Sequence, residues 1–144
     1  MRRFIAAVLA GGLFAVCFAA SGAYAGELII TVTGLRSDAG VLRIAVYDQA
    51  AEFPEGTKLR SFEVPAQRDS VTVTLGDLPP GNYALAVHHD EDDNDEMATN
   101  AIGMPLEGYG FSNDAPVFLG PPAFDTAAFE IFSEDVGVAL KIRY

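Results

Sequence analysis

The sequence predicts an all-β protein: a single antiparallel β-sandwich of about seven short strands. Three observations carry that prediction. Apolar and polar residues alternate at period two in several stretches, most cleanly in Val71-Thr72-Val73-Thr74-Leu75. Turn chemistry (Gly, Pro, Asn and Asp) recurs between those stretches. No stretch after residue 25 reads as a credible ten-residue helix.

The first residues are set aside before the fold is read. Arg2 and Arg3 precede an apolar run from Phe4 to Ala20, and Ala23-Tyr24-Ala25 has the small-x-small pattern of a signal-peptidase site. A membrane anchor is the rival, since ~18–20 apolar residues span a bilayer. The cleavage pattern and the lack of stop-transfer charges favour a cleaved leader, residues 1–25. The mature chain, 26–144, is then one domain with no membrane span, exported to the periplasm or beyond.

Leu28-Ile29-Ile30-Thr31-Val32-Thr33 is a β-branched strand closed by Gly34. Ser37-Asp38-Ala39-Gly40 is a turn, and Val41 to Tyr47 follows with Leu42, Ile44 and Val46 inward and Arg43 outward. These two strands are expected to pair as an antiparallel hairpin. Asp48 to Thr57 reads as a loop in which Phe53 plugs the core. Lys58 to Val64 is an edge strand, because Arg60, Glu63 and Pro65 discourage further pairing. After Val71 to Leu75, Leu78-Pro79-Pro80-Gly81-Asn82-Tyr83 is a stiff turn into the next strand. Tyr83, Leu85, Val87 and His89 share one face of it; Ala84, Ala86 and His88 share the other. Val117 to Leu119 suggests a further short strand. Ala127 to Phe132 and Val136 to Tyr144 end the chain as strands, the last with Val136, Val138, Leu140, Ile142 and Tyr144 inward.

Composition narrows the function. Lys and Arg number 9 against 20 acids, and the formal net charge is −11. Cleavage would remove Arg2 and Arg3 and leave a still more acidic domain. Such a field repels nucleic acid and anionic headgroups and favours cations and basic partners. The one cysteine, Cys17, falls in the leader, so the mature domain rests on its core without disulfides.

Chemistry concentrates between His88 and Asn113. From Asp90 to Glu96 every residue except Asn94 is acidic. Asp90-x-Asp92-x-Asn94 sets oxygen side chains at alternate positions, as a calcium loop does, because a hard cation needs six to eight oxygens at ~2.3–2.6 Å. Asp90, Asp92 and Asn94 would ligate by side chain and Glu96 by its carbonyl. The match is partial: Asp95 stands where an EF-hand loop wants glycine, and Ala101 where it wants a bidentate glutamate. A solvated or internally hydrogen-bonded loop explains the same acids. A third reading makes His88 or His89 a metal ligand or a catalytic base, but adjacent strand residues point to opposite faces and rarely chelate together. His89 is expected to anchor the loop it launches. Tyr109, Phe111 and Phe124 are expected to form a lid over one end of the sandwich. Ser112 has no G-x-S-x-G turn around it, so serine hydrolase chemistry is unsupported.

His89-Asp90-x-Asp92-x-Asn94, then Gly103-Met104-Pro105-x-Glu107-Gly108-Tyr109-Gly110-Phe111-Ser112-Asn113, then Gly120-Pro121-Pro122-x-Phe124 resembles an uncharacterised family of exported bacterial proteins. That family is catalogued as a domain of unknown function, serial number twenty-one forty-one. The likeness covers essentially all of the mature chain. It implies a small secreted immunoglobulin- or transthyretin-like sandwich with no established activity and an acidic loop that reads like a calcium loop. This chain departs from the pattern at Asp95, where glycine is usual, and at Ala98, where a later aspartate is usual.

The combined expectation is an exported, non-enzymatic binding or accessory module for a protein or envelope ligand, with calcium as the one candidate cofactor. Its working part is the loop from Asp90 to Asn113, supported by His89, Asn100, Glu107, Tyr109, Phe111, Ser112 and Asn113. The alternative is a small transthyretin-like hydrolase or metal-dependent enzyme using His88 or His89.

Overall fold

The computed structural model describes residues 26–144. The expected leader, residues 1–25, lies outside them. Eight strands make up the described chain: β1 (Leu28–Leu35), β2 (Val41–Tyr47), β3 (Arg60–Pro65), β4 (Asp69–Leu75), β5 (Gly81–Asp90), β6 (Gly108–Phe111), β7 (Phe129–Ile131) and β8 (Val136–Lys141). The only helical pieces among these residues are a 3-10 turn at Ser112–Asp114 and one turn of α-helix, α1, at Phe124–Ala127.

Two sheets result. One has three strands in the order β4-β1-β8; the other runs β3-β2-β5-β6, with β7 also paired to β5. Leu28, Ile30 and Val32 of β1 share one buried cluster with Leu42, Ile44 and Val46 of β2, Leu85 and Val87 of β5, and Leu140 of β8. The two sheets therefore face each other across a common core. Each of these side chains contributes ~1.5–3 kcal/mol by leaving water, which suits a domain without disulfides.

The expected β1–β2 hairpin does not form. β1 pairs antiparallel with β4 and parallel with β8, while β2 pairs with β3 and β5. Both strands present an apolar face, and facing each other across the core buries both. A bulge makes the crossing: the register shifts between Thr33 and Leu35, where Gly34 adopts φ +79°. The extra residue swings Leu35 into the core. The polar groups of the crossing segment then bond other elements. Arg36 donates its amide to the Tyr144 hydroxyl at 3.1 Å, and the Gly40 carbonyl accepts the Ala66 amide at 3.2 Å.

Other expectations change near the chain end. Val117–Leu119 is not a strand; Phe118 and Leu119 stand 84% and 97% exposed. The segment expected as a strand from Ala127 begins instead after α1, at Phe129. Tyr144 is half-exposed rather than inward, its ring stacked under the Arg36 guanidinium at 4.2 Å.

The motif Gly108-Tyr109-Gly110-Phe111 is explained by β6. A Cβ at Gly108 would lie 2.4 Å from Ile142 Cγ2, so glycine is what lets the end of the chain close onto β6. Tyr109 and Arg143 exchange backbone hydrogen bonds of 2.9 and 2.8 Å, lacing the sandwich at that edge. Tyr109 and Phe111 take the opposite phase and lie on the outer side of the five-stranded sheet. There Phe53 packs edge-on against Tyr47, Phe111 and Phe124, at centroid distances of 5.4, 5.7 and 5.9 Å. Together with Ala84, Ala115 and Ala127 these phenylalanines form a second cluster. Phe53, Phe111 and Phe124 thus cover part of an outer sheet face. They neither plug the central core nor cap one end, because the Ala84 phase of β5 offers small residues for rings to sit on.

Candidate functional site

Alternation along β5 decides what its last residues do. His89 continues the inward phase and is fully buried; His88 and Asp90 take the outward phase. His89 Nε2 lies 2.9 Å from the Ala39 carbonyl, which can only accept, so Nε2 carries the hydrogen. Nδ1 then accepts from the Tyr144 hydroxyl at 2.6 Å. His89 therefore ties the 36–40 crossing to the chain end and not, as expected, the loop it launches: its ring points away from that loop.

Two buried carboxylates hold the acidic loop. Asp90 Oδ2 accepts Arg43 Nε at 2.7 Å and the Asp95 amide at 2.9 Å, while Oδ1 accepts the Asn94 amide at 3.2 Å. Burial alone would raise the Asp90 carboxyl; Arg43 and the two amides outweigh it and bring it down to about 2. Arg43 also contacts Glu63, Asp93 and Asp95, the latter two at 3.0 and 3.2 Å. Glu107 is the second keystone. Its Oε1 accepts the Glu91 amide at 2.9 Å, and its Oε2 accepts the Ala98 amide and His88 Nε2, each at 3.0 Å. Burial pushes Glu107 up, but the two amides and His88 hold it below the usual carboxylate range. An ionised Glu107 can only accept, so His88 donates from Nε2. Glu91, at the loop entry, is held low chiefly by the Arg36 guanidinium, which it meets through Nε at 3.0 and 3.1 Å.

The residues nominated from sequence are only partly brought together. One carboxylate oxygen each from Asp90, Asp92 and Glu107 lies within 4.8 Å of the others. Asn94 is turned aside: its Nδ2 donates to Asp92 at 2.8 Å and its Oδ1 accepts the Glu96 amide at 2.7 Å. Asn100 builds the far side of the loop. Its Oδ1 accepts the amides of Ile102 and Met104, each at 3.0 Å, closing a small hairpin in which Thr99 bridges Pro105. Ser112 is fully buried and stitches elements together, donating to the Ala127 carbonyl at 2.5 Å and accepting the Leu85 amide at 2.9 Å. Asn113, at φ +60°, donates to the Ala128 carbonyl at 2.7 Å.

Between these parts runs a groove of about 1400 Å³ over the outer face of the five-stranded sheet. Ala45, Ala86 and His88 are on its floor; Met97, Thr99 and Met104 of the acidic loop line one side. Val117, Leu119 and Pro121 line another, with Pro54, Glu55 and Lys58 contributing as well. The groove and the role of Arg43 were missed from sequence, where Glu107 was named as a support of the loop without its partners. A register argument could have found Arg43: it pairs with His88 and so lies diagonal to Asp90 on the same face.

Among the described residues no helix is long and apolar enough to cross a membrane. Neither a search among curated proteins nor one among solved structures finds a match. A family model does match, over residues 30–138, and this stretch spans both sheets, the acidic loop and the first half of β8. The chain belongs to the family described as uncharacterized protein conserved in bacteria (DUF2141).

Proposed function

We propose that this is an exported, non-enzymatic binding module whose recognition surface is the groove walled by the Asp90–Asn113 loop. The observation that carries the reading is the pairing of a large open groove with a wall held by buried, fully bonded carboxylates. Such a surface is shaped before any partner arrives, which lowers the ordering cost of binding. The chain's net charge of −11 argues against nucleic acid as that partner. Titrating the protein with the neutral dye Nile red while following amide chemical shifts tests the reading. Shifts confined to residues lining the groove are expected; shifts elsewhere, or none, would refute it.

Calcium belongs to this reading as a candidate stiffener of the wall. The donor set fits a hard cation in kind, since Asp90, Asp92 and Glu107 offer only oxygen. In number it fits in part: Asn94 would have to turn from Asp92 and Glu96, and Arg43 already holds one oxygen of Asp90. Melting curves in calcium against chelator decide, because a bound cation raises stability by mass action.

One observation favours the alternative, a hydrolase using His88. That imidazole lines the groove with the Glu107 carboxylate behind Nε2, the arrangement that orients a general base. Against it, Glu107 is already bonded to two loop amides, and the one serine of the motif, Ser112, is buried and bonded elsewhere. A panel of carboxylic and phosphoric esters assayed with wild type and His88→Gln separates the two. Turnover lost in the variant would establish the enzyme.

A further inference from the structure

The groove has a shape, a rim and a charge that together narrow its occupant. At about 1400 Å³ it exceeds the ~300–1,000 Å³ typical of small-molecule pockets, so a stretch of polymer fits it better than a metabolite. Its floor is low where Ala45 and Ala86 leave room above the sheet. Two of its wall residues, Met104 and Leu119, are 57% and 97% exposed.

Leu119 is the more telling of the two. It holds φ +57°, in the left-handed region where Asn and Gly are at ease and a leucine is an outlier. Its side chain buries almost no surface, and its backbone costs about 1 kcal/mol or more. With Met104 and Val117, also exposed, it gives the groove an apolar rim of the kind that an apolar partner covers.

Charge sets the rest of the partner's chemistry. Arg43, Glu63 and Asp95 line the groove, and the one guanidinium faces four carboxylates, those of Glu63, Asp90, Asp93 and Asp95. One positive charge cannot balance four negative ones, and Asp93 and Asp95 are exposed enough to meet a ligand. Glu55 and Lys58, one charge of each sign, also line the groove and leave its balance unchanged. The excess favours a cation beside Arg43 and disfavours an anionic lipid surface.

We infer that the groove binds a peptide segment of another protein, apolar along its length and carrying a Lys or Arg side chain at the end that meets Asp93 and Asp95. This inference rests on the binding-module reading and names its partner class. The apolar side chains would lie over Ala45 and Ala86 between Met104 and Leu119, and the basic group would share the carboxylates that Arg43 leaves uncompensated.

Displacement of Nile red by two synthetic octapeptides of leucine and serine, one with lysines and one with glutamates at the same positions, tests this. The lysine peptide is expected to displace the dye at a concentration about tenfold lower than its glutamate counterpart. The double variant Leu119→Asp, Met104→Asp then separates docking from diffuse attraction. Both positions are exposed, and aspartate is at ease at positive φ, so melting should be unchanged or slightly raised. The variant is more acidic, so simple attraction predicts tighter binding of the lysine peptide, whereas seating in the groove predicts binding weaker by about tenfold. Equal binding of the two peptides, or unchanged or tighter binding by the variant, would overturn the inference. Displacement only by anionic phospholipid vesicles would overturn it too. If Nile red occupies the groove and neither peptide displaces it, the peptide class falls while the binding module survives. If the dye ignores the groove, both fall.

Discussion

Replacing Arg43 with methionine asks how much of the loop's order depends on one guanidinium. Asp90 has no solvent exposure, and its Oδ2 lies 2.7 Å from Arg43 Nε. After the change its carboxylate would keep only the amides of Asn94 and Asp95, with Glu63, Asp93 and Asp95 as like-charged neighbours no longer offset by a guanidinium. Removing one partner of a buried pair costs ~3–5 kcal/mol. The two surviving amides and the partial exposure of Arg43 bring the expected loss to about 2–3 kcal/mol. At ~2.1 cal/mol/K per residue for the entropy of unfolding, that lowers Tm by about 10 °C in a domain of this size. Urea unfolding at pH 7 and pH 4 measures it, and the sign with pH is informative. In the variant the Asp90 pKa rises above its unfolded value, so the folded variant takes up a proton and regains stability as pH falls. The wild-type carboxyl, at about 2, stays ionised at pH 4 and gains nothing. The gap between the two proteins should therefore narrow from pH 7 to pH 4. A loss under about 1 kcal/mol, the range of a surface pair, or a gap that ignores pH, would refute the keystone role of Arg43.

Three other outcomes are expected. Glu107→Gln must present its NH2 group to at least one of the amides of Glu91 and Ala98; orphaning that donor costs ~1–3 kcal/mol, and hydrogen exchange should speed up at both amides. In the wild-type protein the Asp90 carboxyl lies at about 2 against an ordinary 3.8. A depressed folded pKa gives stability that is present above the unfolded value and lost as pH falls through the folded one. Denaturation midpoints should therefore drop between about pH 4 and pH 2 by an amount equivalent to about 2 kcal/mol, with Glu91 and Glu107 acting in the same direction. Gly108→Ala sets a methyl 2.4 Å from Ile142 Cγ2 and 2.6 Å from Tyr144 Cε1, and should cost ~1–3 kcal/mol by overpacking, whereas Gly137→Ala meets nothing within 4 Å and serves as the control.

What could be read from sequence was local. Period-two alternation located β2, β4, β5 and β8 and chose their inward residues, because a face either meets the core or does not; β1 was located by its β-branched run alone. The Leu78–Tyr83 turn was legible in the same way: proline and glycine restrict the chain there, and the structure adds that Tyr83 donates its hydroxyl back to the Pro79 carbonyl at 2.6 Å. Partnering was not legible. Ser37 to Gly40 has the composition of a hairpin turn, yet whether it joins neighbours in one sheet or crosses between two depends on the bulge at Gly34 and on bonds to Tyr144 and Ala66, remote in sequence. Val117 to Leu119 misled for a related reason: three apolar residues suit a buried strand, but no ladder is available to them there. Asp90 was nominated for its spacing, which reports side-chain oxygens but not what they bond; its partner Arg43 lies 47 positions earlier.

That distant partner bears on how the loop works. A calcium loop is assembled from its own residues and a cation, so its shape depends on the metal. Here the first aspartate is held by an arginine from the neighbouring strand, and both ends of the loop are fastened by a glutamate at the head of β6. Both fastenings belong to the sheet that floors the groove. On the proposed reading, a wall so fastened to its floor would need little ordering when a partner arrives, and the exposed side chains of Met104 and Leu119 would be the ones left to adapt. A cation at Asp90, Asp92 and Glu107 would have to compete with Arg43 for Asp90. It would then act on the stiffness of the wall and not on the chemistry of what lies against it.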